Sequence, residues 1–145
     1  MVLYDQGLSV LEAAALAAAV VQWEAVAEFQ VTFTADRSAA DMVVTSVRLS
    51  AGQPGYTEDG YTTVSYRCVP VCAWDHADVE LSSTATLSQT DWISTVLHEL
   101  GHVAGLNHLA RAGEVMYPYL SLTSPVVYAS GDRAGLAVLA AERGA

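Results

Sequence analysis

The sequence contains no lysine; its six basic residues are all arginine, set against 16 acids, for a formal net charge of −10. Without lysine there is no amine for Schiff-base chemistry and no Ser-Lys dyad. Without a basic patch, nucleic acid and anionic membranes are poor partners. Long apolar runs are scarce too. The longest, Val10 to Val21, is interrupted by Glu12 and is too short to span a bilayer. It has the length of a signal-peptide core, but the residues before it include Asp5 and no Lys or Arg, the wrong charge for that role. It therefore reads as a structural helix. The chain reads as a mature domain, or one exported by a route its sequence does not show. Repeats are missing, as are low-complexity stretches beyond the Ala-rich run. No internal boundary is evident, so residues 1–145 are expected to form one domain with one core. The 52% apolar content supports a packed globule.

Histidine is also rare, with four in the chain, and three of them fall in one stretch: His98-Glu99-Leu100-Gly101-His102-Val103-Ala104-Gly105-Leu106-Asn107-His108. A helix turns about 100° and rises about 1.5 Å per residue, so His98 and His102 lie on one face, one turn apart. His108 would sit about 9 Å further along a continuing helix and on another face. Gly105 can adopt a left-handed backbone, stop the helix and return the chain beneath the metal. Three neutral imidazoles then occupy three corners of a zinc tetrahedron, leaving the fourth for water. Glu99 neighbours a ligand but points elsewhere, placed to take a proton from that water. A bare H-E-x-x-H can be a solvated face with two surface histidines. The eleven-residue form would arise by chance in about one such chain in a hundred thousand.

The motif, with Met116 downstream in Glu114-Val115-Met116-Tyr117-Pro118, resembles the metzincin metalloproteases, and among them the matrixins. The step from His108 to Met116, Gly113 within it and the Met-Tyr-Pro run fit that group. Pro118 stands where astacins and serralysins carry a tyrosine able to ligate zinc. Matrixins usually have Ser after the third histidine, where this chain has Leu109. Ala40-Asp41-Met42-Val43-Val44 and Gly131-Asp132-Arg133-Ala134-Gly135-Leu136 are similar to a matrixin strand and to the opening of the matrixin C-terminal helix. The resemblance implies that Met116 forms a turn supporting the ligands. It also implies an extracellular setting, which favours a disulfide between Cys68 and Cys72. Two free thiols, or a metal site with His76, are the alternatives. Too few histidines remain for the structural zinc of matrixins, and no calcium loop stands out.

The expected fold is α+β: a small twisted mixed sheet with a backing helix, an active-site helix and a C-terminal helix. Ser9 to Glu12 is a capping box opening a helix to about residue 28. Phe29 to Thr34, Met42 to Leu49 and Tyr61 to Arg67 carry strand signals. Gly52 to Gly60 and Ser121 to Tyr128 read as loops. Ala77 to Ser83 sets Val79 and Leu81 on one face and acids on the other, and is expected to be an exposed edge strand. Asp75, Asp78 and Glu80 read as a solvated acidic face rather than a cation site. Ser88 signals the start of the active-site helix, and Ser130 is expected to cap the last one.

The function implied is a zinc-dependent endopeptidase, secreted and monomeric, acting on an extended peptide or protein. Its substrate would pair with the edge at Val79 and Leu81. By the metzincin resemblance, Leu97, Pro118, Tyr119 and Leu120 would wall the pocket after the scissile bond. Tyr117 and Tyr119 are equally readable as oxyanion donors or as packing. Two other functions fit the same residues: a zinc-holding binding module without activity, which an intact Glu99 argues against, and a hydrolase of non-protein amides such as peptidoglycan cross-links.

Overall fold

A computed structural model describes residues 1–27, 30–49, 59–68, 72–120 and 125–143. In chain order the elements are β1 (Val2–Gln6), α1 (Val10–Ala27), β2 (Thr32–Phe33), β3 (Met42–Val47), β4 (Gly60–Cys68), β5 (Cys72–Ser82), α2 (Gln89–Ala104) and α3 (Ser130–Arg143). The strands form one sheet in the order β2-β1-β3-β5-β4. All pairings are parallel except that of β4 with β5. This is the expected α+β architecture with three helices on a mixed sheet. Phe29, most of the Gly52–Gly60 loop and residues 121–124 lie outside the described residues.

Local chemistry explains the helix starts. The Ser9 hydroxyl accepts from Glu12 N–H, and the Glu12 carboxylate accepts from Ser9 N–H at 2.6 Å, a reciprocal capping box. Glu12 is buried, and its second oxygen accepts from the Ser46 hydroxyl at 2.8 Å, which ties the cap to β3. Helix α1 is long and apolar enough to cross a membrane by composition. Here its Ala15, Leu16, Ala19 and Trp23 are fully buried in the core. That core also takes Leu3, Met42, Val44, Val96, Leu100 and Met116.

Strand β1 has no counterpart in the sequence reading. Its five residues hold only one fully buried side chain, Leu3, too little apolar periodicity to announce a strand. Pairing with β2 and β3 is what makes it one.

The edge assignment is corrected. Ala77 to Ser82 belongs to β5, which has β3 on one side and β4 on the other. Val79 and Leu81 are 1% and 0% exposed, and Asp78 and Glu80 occupy the opposite face. Alternation shows which face of a strand is buried, not whether neighbours flank it. The outer strand is β4, antiparallel and rich in Thr, Ser and Tyr, with a register irregularity between Ser65 and Tyr66. A polar, irregular strand suits an edge.

Candidate zinc site

Helix α2 is built to present two histidines. Ser88 caps it, its hydroxyl accepting from Asp91 N–H. At the other end Gly105 has φ 101° and ψ 9°, the left-handed conformation. Its N–H bonds the His102 carbonyl, and the Leu106 N–H bonds the Gly101 carbonyl, both at 2.9 Å. Those two bonds are a Schellman motif. The chain then turns back, and His108 comes under the helix.

The three Nε2 atoms converge, with separations of 3.1 Å for His98–His102, 3.2 Å for His102–His108 and 3.1 Å for His108–His98. The Nδ1 atom of His98 donates to the Val115 carbonyl, and that of His102 to the Leu106 carbonyl, each at 2.8 Å. Those bonds place the protons on Nδ1 and leave Nε2 lone pairs facing inward. Clustered lone pairs repel unless a cation sits among them. A tetrahedral zinc with ligand distances of about 2.0–2.1 Å sets ligand nitrogens roughly 3.3–3.4 Å apart, close to this spacing. The residues therefore fit zinc. Burial, together with the neighbouring His102 and His108, pushes His98 down to about 4 despite the opposing bond to Val115. Burial lowers His102 as well. Both rings are thus held neutral, the form that ligates.

Met116 is fully buried beneath the ligands. Its sulfur lies where a side chain on Gly101 would begin, so Gly101 is required by this contact. The Met116 carbonyl accepts from Leu109 N–H at 2.8 Å, which fixes the residue after His108. The Asp132 carboxylate accepts from the N–H groups of Val115, Met116 and Ala129. Burial pushes its carboxyl up, against the pull of those three donors. Glu114 accepts from Gly131 and Asp132 N–H, capping α3 from outside the helix. Ser130 is therefore not the cap. Ala129 holds the capping position, with Asp132 reaching back to its N–H and Glu114 supplying the acceptor from outside the helix.

Glu99 is buried, 5% exposed, facing β4. Its Oε2 accepts from the Thr62 hydroxyl at 2.6 Å. The sequence reading did not single out Thr62; a threonine in a strand carries no signal of a partner on a distant helix.

The nominated substrate residues scatter. Val79 and Leu81 face the core of an interior strand and cannot pair with a ligand edge. Leu97 is fully buried, and Tyr128 donates to its carbonyl at 2.6 Å. Pro118, Tyr119 and Leu120 are exposed after the Met116 turn, and the Tyr119 ring meets Tyr117 edge-on at 5.7 Å. Asp75 pairs with Arg67 at 2.9 Å, and Asp78 lies 3.5 Å from His76. Cys68 is disulfide-bonded, and Cys72 stands opposite it in the β4–β5 register.

No curated protein matches the chain. The family profile described as Matrixin matches residues 8–139, spanning α1, the sheet from β2 onward, the three histidines, Met116 and most of α3. A match over nearly the whole chain, on a fold and histidine cluster of the kind that family builds for zinc, leads to one conclusion: this chain belongs to the matrixin family of zinc metalloproteases.

Proposed function

We propose that the chain is a zinc-dependent endopeptidase with Glu99 as general base. The observation carrying this reading is the convergence of three Nε2 atoms at 3.1–3.2 Å, with a buried glutamate adjacent in sequence to one of them. Zinc, when bound, polarises the scissile carbonyl and acidifies the attacking water. His98, His102 and His108 would hold it. The carbonyls of Val115 and Leu106 keep two of the rings in the ligating tautomer. Glu99 takes a proton from the water at its carboxylate and passes it to the leaving amine. Its burial excludes competing solvent from that transfer.

An extended peptide is the proposed substrate, added as a strand to the outer edge of β4, which pairs with no further strand among the described residues. Pro118, Tyr119 and Leu120 would wall the pocket after the scissile bond. Being apolar or aromatic, they favour cleavage before a medium or large apolar residue and disfavour an acid there. Family membership supports an extracellular setting. We read the protein as a monomer with no role for nucleic acid or membranes.

Incubation with a complex peptide library, with and without chelator, tests this. Chelator-sensitive cuts before apolar residues are expected. A dominant Asp, Glu or Gly after the scissile bond would overturn the pocket. Failure to cut any peptide would sink the endopeptidase reading and favour a non-protein amide or a binding role.

A further inference from the structure

The inward face of β4 at the site has an unusual composition. Strand alternation turns residues 60, 62 and 64 to the helix side, while Tyr61 and Thr63 face solvent. Gly60 offers no side chain. A Cβ there would stand 2.6 Å from Glu99 Oε1, 2.8 Å from its Cγ and 2.9 Å from its Cδ. Thr62 offers one hydroxyl, 2.6 Å from Glu99 Oε2 and 3.3 Å from the Glu99 backbone carbonyl. A hydroxyl has a single proton, so the shorter, charge-assisted bond to the carboxylate takes it.

We propose that Thr62 is a positioning residue for Glu99, with Gly60 leaving the space in which the carboxylate is held. The inference rests on Glu99 being the base. A glutamate has three rotatable bonds, and a base must meet its proton at hydrogen-bond distance. The Thr62 bond selects one carboxylate orientation. It is one hydrogen bond to a group with about four acceptor sites. The same strand presents its outer main-chain edge for pairing. Side chains of β4 orient the base while its backbone is available to the substrate, so substrate register and base position are set by one element.

The test uses full-length zinc-loaded protein and the best-cleaved peptide from the library. Thr62→Val keeps the shape and removes the hydroxyl. It should lower kcat 10- to 100-fold, in line with the roughly 10²-fold cost of a small misplacement. KM should stay within about twofold and zinc content unchanged, because no ligand is touched. Thr62→Ser should recover most of kcat. Gly60→Ala should also lose kcat with zinc retained. Wild-type kcat in Thr62→Val, or an equal loss in Thr62→Ser, would overturn the assignment. Crystal structures of zinc-loaded wild type and Thr62→Val give a readout independent of turnover. The Glu99 carboxylate should leave its wild-type orientation in the variant, and an unmoved carboxylate refutes the proposal. Glu99→Gln is the control for the underlying reading. If it cleaves normally, Glu99 is not the base, while the crystal comparison still decides whether Thr62 holds it.

Discussion

Glu99 and His102 lie three residues apart on α2 yet should separate cleanly by mutation. Glu99→Ala should retain zinc and lose activity by about 10²–10⁴-fold, the usual worth of a general base. His102→Ala should lose zinc itself, and elemental analysis that still finds about one zinc per chain in this variant would remove His102 from the ligand set. His98 makes a prediction about pH. Burial holds it near 4 in the folded, metal-free protein, against 6.5 ordinarily. The unfolded chain therefore takes up that proton first. Stability of the metal-free protein should be full above pH 6.5, fall as pH drops towards 4, and level off below that value. Urea unfolding at pH 7 and pH 5 checks this: the midpoint should drop, and drop less in His98→Asn. Equal losses in both proteins would show that His98 is not buried in its neutral form.

At the scale of elements, the caps of the three helix starts were legible in different degrees. The α1 capping box and the α2 cap at Ser88 were readable because donor and acceptor lie three residues apart. The start of α3 was not. Its N–H groups are satisfied by Glu114, 17 and 18 residues away in sequence, and by Asp132 reaching back to Ala129. This exchange also ties α3 to the Met116 turn, since Asp132 accepts from Val115 and Met116. Glu114→Ala should cost about 1–3 kcal/mol by leaving buried N–H groups unpaired, and Glu114→Gln, which keeps an acceptor, should cost less. Chemical denaturation of both variants would decide it, and equal losses would show that volume and not hydrogen bonding matters there. The strand reading erred for a related reason. Val79 and Leu81 alternate with acids just as an edge strand does, but β4 covers the side expected to be open. The acids of β5 thus lie one strand inside the edge.

At the scale of the whole molecule, the site joins α2, the returning turn that carries His108, and the Met116 segment anchored to α3. A metal that bridges these should stabilise the fold. With free zinc at 100 times its dissociation constant, linkage gives about 2.7 kcal/mol. For a domain of this size that is a rise of roughly 5–11 °C in Tm. Calorimetry with chelator and with one equivalent of zinc should show the shift and its reversal. A Tm indifferent to chelator would mean that the histidine cluster does not hold metal in solution.

The sequence alone determined the convergence of the three histidines. Helical period, the left-handed turn at Gly105 and the return of His108 are settled within eleven residues, where local sterics dominate. It also determined the buried face of the strand at Ala77 to Ser82, because side-chain alternation is local. Only the tertiary structure decided that β1 is a strand, that β4 is the edge, that Asp132 holds the Met116 turn, and that Thr62 meets Glu99 across 37 residues. Each of these depends on which distant segment supplies a hydrogen-bond partner. That depends on the path of the chain, which residue pattern does not encode.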